Sequence, residues 1–254
     1  MNRIQEKFKS LDKTAFIGFI TGGDPTLDKL SGLVMGMQDG GCDIVEIGIP
    51  YSDPLADGPV IQRANSRALS NKNHSVKNLI DEVTRIREKT QIPILFLVYI
   101  NTILVYGKQR FINDCEKAGI DGLIIPDMPL EERDELMPLL INTDISLIPL
   151  VAPTTKDRLE KVLAGCSGFV YCVSSLGVTG RSSNFYDGVE EYLTDIKNKT
   201  DLPIAVGFGI SSKQDIEMLS PYVDGVIVGS AIVDKVDKYN GDGKAIKQFI
   251  KTLI

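Results

Sequence analysis

A carboxylate set in an aliphatic run is the first feature of this 254-residue sequence that invites a chemical reading. The run is Asp43-Ile44-Val45-Glu46-Ile47-Gly48-Ile49. A strand period of two puts Val45, Ile47 and Ile49 on one face and Ile44, Glu46 and Gly48 on the other. The all-aliphatic face suits a layer of helices, which turns Glu46 to the inside. There desolvation raises a carboxylate pKa toward the range useful for general acid–base work. The plainer alternative is a structural carboxylate paired with Lys or Arg, but no basic residue lies in the C-terminal half of the neighbouring strand-like runs. The next segment, Tyr51-Ser52-Asp53-Pro54-Leu55-Ala56-Asp57-Gly58-Pro59, carries two aspartates. Asp-Pro and Asp-Gly are turn dipeptides, and that alone would explain both. A second carboxylate held above Glu46 would, however, give two acids in different environments, the arrangement that separates acid from base roles.

In the run Gly168-Phe169-Val170-Tyr171-Cys172-Val173-Ser174 the same period puts Phe169, Tyr171 and Val173 on one face, so that Tyr171 either shares the space with Glu46 or fills core. Asp127 precedes a helical pattern starting near Leu130 and reads as an N-cap. Three glycine motifs stand out as a set: Gly177-Val178-Thr179-Gly180, Gly207-Phe208-Gly209-Ile210-Ser211 and Val228-Gly229-Ser230-Ala231. Each alone could ease a turn. Together they put bare backbone where a phosphate could be received, with the Gly-Ser opening a helix. No lysine lies in the C-terminal half of a strand-like run, so Schiff-base chemistry lacks its nucleophile, and His74, the one histidine, reads as a surface residue. Cys42, Cys115, Cys166 and Cys172 have neither paired ligand spacing nor a nearby histidine, and read as reduced cytoplasmic thiols.

The elements that would position these groups recur along the chain. Strand-like runs at Phe16 to Thr21, Asp43 to Pro50, Pro93 to Ile100, Gly122 to Asp127, Ser146 to Ala152, Gly168 to Ser174, Pro203 to Gly209 and Gly225 to Ser230 alternate with helical patterns such as Leu130 to Leu140 and Thr155 to Leu163. Such alternation demands parallel strands with crossover helices. The rival doubly wound sheet would carry a glycine-rich dinucleotide turn after its first strand, which Thr21-Gly22-Gly23-Asp24-Pro25 is not. The expected fold is therefore α/β, a single (β/α)8 TIM barrel over residues 1–254. It would have an extra amphipathic N-terminal helix within Met1 to Lys13 and long loops after strands two and six, Tyr51 to about Ser70 and Gly177 to about Gly188. Both loops fall at strand C-terminal ends, where barrels build active sites.

Composition bounds the partners. The formal net charge of −6 opposes a nucleic-acid or anionic-membrane surface, and no apolar run approaches the length of a membrane span. No motif asks for nicotinamide, flavin or pyridoxal phosphate, and no metal site is expected.

The stretch from Glu46 to Pro59 resembles the signature of the tryptophan synthase alpha chain family. The likeness extends over the whole chain through Phe19 to Pro25, Pro126-Asp127-Met128-Pro129, Gly177 to Gly180, Gly207 to Ile210 and Gly229-Ser230-Ala231-Ile232. The resemblance implies a cytoplasmic lyase that splits indole-3-glycerol phosphate into indole and glyceraldehyde 3-phosphate. It would need no cofactor of its own and would pair in an α2β2 heterotetramer with a pyridoxal-phosphate beta subunit that takes up the indole. It further implies Glu46 as acid/base, Asp57 as second catalytic carboxylate, Tyr171 as an active-site tyrosine and Thr179 as a lid residue. Gly180, Gly209, Gly229 and Ser230 would hold phosphate; Phe19, Leu97, Tyr99, Asp127 and Phe208 would line the indole pocket; Asp53 and Pro54 would lie in the partner loop. Some family members carry a basic residue just before the lid glycines, where this chain has Ser174-Ser175-Leu176. A stand-alone indole-releasing lyase, a sugar-phosphate isomerase or aldolase, and a non-catalytic allosteric barrel remain as alternative readings.

Overall fold

The computed structural model describes residues 2–173, 188–207 and 209–254, apart from the side chains at positions 156 and 157. Ser175, Leu176, Thr179, Gly180, Phe208 and the expected loop from Gly177 lie outside the described residues. The described strands are β1 (Ala15–Thr21), β2 (Ile44–Gly48), β3 (Ile94–Leu97), β4 (Gly122–Ile124), β5 (Ser146–Leu147), β6 (Leu150–Val151), β7 (Val170–Val173), β8 (Ile204–Gly207) and β9 (Gly225–Val228). The α-helices are α1 (Arg3–Ser10), α2 (Leu30–Gly40), α3 (Pro59–Leu69), α4 (Val76–Arg87), α5 (Ile100–Tyr106), α6 (Lys108–Ala118), α7 (Arg133–Leu140), α8 (Leu159–Leu163), α9 (Val189–Lys197), α10 (Lys213–Leu219), α11 (Ser230–Lys238) and α12 (Gly243–Lys251).

All strand pairs are parallel, in the order β5-β4-β3-β2-β1-β9-β8-β7-β6. The two ends of that order are consecutive pieces of one extended segment. Ile148 N–H donates to Leu123 O at 2.9 Å, and Tyr171 N–H donates to Pro149 O at 2.9 Å, so the segment pairs on both sides and the sheet closes into a TIM barrel. The sequence pattern predicts one strand from Ser146 to Ala152. Pro149, which has no N–H to give, marks the break between its two pieces.

Alternation along the strands sorts the core into two layers. Val45, Ile47, Phe96, Val170, Val206 and Val226 face the helices in the larger cluster. Ile17, Ile44, Leu95, Ile124, Ile148, Phe169, Tyr171, Ala205 and Ile227 fill the inside, joined from below by Ile4 and Phe8 of α1. The expected N-terminal helix is thus a plug for the barrel floor. Its seat requires small residues: a Cβ at Gly122 would stand 2.7 Å from Leu95 Cδ2 and 3.1 Å from Ile4 Cδ1. Asn2 caps α1, accepting from Gln5 N–H at 3.2 Å.

One device recurs on the same floor. Asp43, Asp121 and Asp224 each stand immediately before a strand and each grip one residue of the preceding strand twice. Their amides donate to the carbonyls of Phe16, Ile94 and Ile204 at 2.8, 2.9 and 2.9 Å. Their carboxylates accept from the amides of the same residues at 2.9, 2.8 and 2.9 Å. Asp121, 2% exposed, also pairs with Arg3 at 2.7 Å and Arg87 at 2.9 Å. Its loss would remove the counter-charge of the largely buried Arg87 guanidinium and leave the buried Ile94 amide without its acceptor. We expect Asp121→Ala to lower stability by about 3 kcal/mol. The change should be read as a lower urea midpoint at unchanged slope, and a midpoint equal to that of the parent chain would refute it.

Candidate active site

The barrel interior is filled at its floor by α1, and at the strand C-terminal ends it leaves a cavity in which carboxyls stand among apolar side chains. Glu46 lies at the middle of β2, between Phe19 of β1 and Leu95 of β3 in register, and is only 1% exposed. Neither carboxylate oxygen has a hydrogen-bond partner among the described residues. Burial first, and the charge of Asp57 second, push its pKa up to about 8. A buried carboxyl in that state is a poor structural element and a ready proton donor near neutral pH.

Asp57 comes from the segment that follows β2. Its amide donates to Pro54 O at 2.9 Å, closing a turn, and Gly58 and Pro59 then start α3 as N-cap and first helical residue. The long loop expected from Tyr51 to about Ser70 is therefore short, because its second half is helix. The turn dipeptides drew attention away from the helix start. That helix supports the aspartate: Asn65 Nδ2 donates to Asp57 Oδ2 at 3.1 Å, and Gln62 Nε2 donates to its carbonyl at 2.9 Å. Burial lifts the Asp57 carboxyl to about 6, against the opposing pull of the Asn65 and Tyr99 hydrogen bonds.

A cavity of about 430 Å³ joins Glu46, Asp57 and Tyr171 to Phe19, Leu97, Gly209, Gly229 and Ser230, a volume suited to a small-molecule ligand. Tyr171 is buried over the interior core, and a Cβ at Gly207 would stand 2.5 Å from its hydroxyl oxygen. Burial, with the charges of Glu46 and Asp57, holds that phenol well above its usual range. At the far end, Ile232 N–H makes the first bond of α11, to Gly229 O at 2.9 Å. The amides of Ser230 and Ala231 precede it and can receive an anion.

Other expected residues fall elsewhere. Tyr99 does not line the cavity. It stands behind the Asp57 turn, accepting from Ala56 N–H at 3.1 Å and stacking on Tyr51 at 4.8 Å. Asp127 is exposed, and its Oδ1 accepts from Ile100 N–H at 2.8 Å, so it caps α5 of the neighbouring unit in place of the helical pattern near Leu130. Asp53 is exposed and Pro54 buried in the turn. His74 is half-buried beside Ser75, the N-cap of α4. The cavity also contains residues that sequence reading missed: Val60 and Ile61 on its apolar wall, Lys235 of α11 and Phe249 of α12. Val60, Ala64 and Ala68 recur at helical spacing, a signal that the turn reading of this stretch masked.

Raised carboxyl pKa values carry a stability consequence. Between about pH 4.5 and 8 the folded chain holds a proton on Glu46 that the unfolded chain has released, so stability falls as pH rises through this window. Glu46→Gln cannot ionise. We expect the variant to match the parent near pH 5 and to exceed it by a few kcal/mol near pH 9, measured by denaturant unfolding. Equal stability at both pH values would remove the case for a costly buried charge.

Comparison with known proteins agrees with this geometry. The sequence profile of the family described as "Tryptophan synthase alpha chain" matches residues 5–253. The tryptophan synthase alpha chain of Alkaliphilus metalliredigens is 44% identical over 254 residues, covering 99% of this chain and 95% of the relative. That of Clostridium kluyveri is 48% identical over 245 residues, covering 95% and 93%. The crystal structure of tryptophan synthase subunit alpha from Legionella pneumophila superposes with a TM-score of 0.90 at 30% identity, over 100% of this chain and 97% of that one. Closed parallel barrel, acidic pair and full-length likeness converge: the chain belongs to the tryptophan synthase alpha chain family, the lyases of the alpha-subunit step of tryptophan biosynthesis.

Proposed function

We propose that the cavity performs retro-aldol cleavage of indole-3-glycerol phosphate, with Glu46 as the acid/base and Asp57 as an ionised electrostatic partner. The observation that carries this reading is the divergence of the two buried carboxyls, one held to about 8 and the other to about 6. Between those values Glu46 holds a proton and Asp57 does not. Glu46 gives its proton to indole C3, which leaves positive charge on the ring nitrogen, and Asp57 accepts the N–H hydrogen bond that strengthens as that charge develops. Glu46 then takes the proton of the adjacent glycerol hydroxyl. The carbon–carbon bond breaks, its electron pair returns to the ring, and indole and the aldehyde of glyceraldehyde 3-phosphate separate with the acid restored. The indole ring is itself the electron sink, which is why this chain needs no cofactor. The apolar wall of Phe19, Leu97, Val60 and Ile61 suits an indole better than a bare sugar phosphate, and a non-catalytic barrel would have no use for a buried Glu46 with no hydrogen-bond partner among the described residues. Tyr171 bounds the site beside both carboxyls.

Phosphate falls at the Gly209, Gly229 and Ser230 end, with Thr179 and Gly180 as expected lid and phosphate residues outside the described part of the chain. Leu55, 89% exposed in the Asp53–Pro54 turn, and Val105, 81% exposed on α5, are with Leu104 exposed apolar residues on the segments that follow β2 and β3, and we take them together as one patch. Such a patch fits a pyridoxal-phosphate beta subunit in an α2β2 heterotetramer, with the alpha-site turn inside the interface. The buried thiols suit a cytoplasmic setting.

Assay of indole release from indole-3-glycerol phosphate tests the roles. Glu46→Gln and Asp57→Asn are each expected to lose about 10²-fold or more in kcat, and near-normal turnover by a folded variant would cancel its assigned role. The pH profile of kcat/KM is expected to fall below about 6, as Asp57 takes a proton, and above about 8, as Glu46 loses one. Asp57→Asn should abolish the acid limb. For the patch, Val105→Asp is expected to weaken beta-subunit binding by about tenfold in calorimetry; unchanged affinity would place the interface elsewhere.

A further inference from the structure

The cavity is poor in positive charge. Its described lining includes three acids, Glu46, Asp57 and Asp234, and one base, Lys235. A phosphorylated substrate brings up to two more negative charges into this field. Backbone amides at the start of α11 offer partial positive charge, worth on the order of half an elementary charge. That leaves most of a dianion uncompensated.

Lys235 stands four residues after Ala231 on α11, one helical turn on, and lines the same cavity as the turn that begins at Ser230. Its Nζ lies 5.4 Å over the ring of Phe249, another wall residue, and 3.6 Å from the carboxylate of Asp234. Asp234 is itself 59% exposed, and 3.6 Å is beyond hydrogen-bond reach. Among the described residues, then, the ammonium lines the same cavity as Gly229, Ser230 and Ala231, is half-buried, and is held only by a long ion pair to an exposed carboxylate. Ser211, on the opposite rim, gives its amide to Asp215 at 2.9 Å.

We infer that Lys235 is the cationic ligand of the substrate phosphate, closing the cradle formed by the Gly229 to Ala231 backbone and setting the preference for a dianionic head. The inference rests on the lyase reading for the substrate and its phosphate head. Because the phosphate takes no part in bond cleavage, Lys235 contributes equally to ground state and transition state. It should therefore act on KM and leave kcat alone.

The test uses the purified chain and three ligands: indole-3-glycerol phosphate as substrate, glycerol 3-phosphate as a phosphate probe, and indole as a phosphate-free probe. Lys235→Met keeps the stem on Phe249 and removes the charge; Lys235→Arg keeps both. For Lys235→Met we expect KM for the substrate and Kd for glycerol 3-phosphate to rise about tenfold or more, with kcat and indole affinity within about twofold. The salt dependence of KM should flatten, and Lys235→Arg should recover most of the loss. Unchanged KM and glycerol 3-phosphate Kd would overturn the inference. So would a loss shared equally by indole, which would mark Lys235 as a packing residue. A parent chain that forms no indole would instead overturn the lyase reading, and glycerol 3-phosphate binding would still decide the role of Lys235.

Discussion

The burial of one acid inside the barrel constrains everything around it. A carboxylate sealed from water with no hydrogen-bond partner among the described residues costs several kcal/mol unless it keeps its proton. Glu46 is held there because β2 cannot turn it out without exposing Val45 and Ile47 as well, since a one-residue slip exchanges the two faces of the strand. The carboxyl is thus fixed by its neighbours' hydrophobicity. The rest of the barrel must supply the stability that this site lacks, and the floor does so. There the interior is filled by Ile17, Ile44, Leu95 and Phe169, plugged by Ile4 and Phe8, and clamped by the repeated aspartate grip at Asp43, Asp121 and Asp224. Rigid packing at one end and unsatisfied polarity at the other are two halves of one arrangement.

The second acid is held by different means. Asp57 sits on a turn, and turns do not fix side chains to the precision that proton transfer needs. Precision comes from α3 through Asn65 and from Tyr99 through the Ala56 amide. The helix is itself anchored. Arg67 forks onto both oxygens of Asp24 at 2.8 Å and reaches Asp237 at 3.1 Å. One guanidinium therefore ties the helix behind Asp57 to the end of β1 and to α11, whose first turn lines the cavity. The ion pairs are partly exposed and modest as stability terms. Their value is geometric, since they fix α3 relative to α11 across the cavity.

How much of this was legible in the sequence depended on whether the cause was local. The parallel alternation, the plug helix and the inward turn of Glu46 follow from periodicity, which is a property of a few adjacent residues. Tyr171 was legible on the same grounds. Asp57 was not: its dipeptide explains a turn, and only the Asn65 contact eight residues on shows what the turn presents. The contacts of Tyr99 and Asp127 were not legible because each answers to a neighbouring unit, Tyr99 to the Asp57 turn and Asp127 to the amide of Ile100. The aspartate grip escaped notice because Asp43, Asp121 and Asp224 each look like an ordinary acid before a strand. Only the hydrogen bonds make them a set.

Lys235 was overlooked for a related reason. A cation acting on the reacting bond would sit at a strand end, and no strand-like run carries a lysine in its C-terminal half. A phosphate handle obeys another geometry. It lies at the start of a helix, and a side chain one turn further along that helix leans back over the same spot. The separation also suits the chemistry. An ammonium next to Glu46 would favour its ionised form and spoil it as a proton donor near neutral pH. Placed at the phosphate end of the cavity, the same charge can balance the substrate's anion while the acid keeps its proton. The cavity thus keeps its one described cation where charge must be bound, and withholds it where a proton must be given.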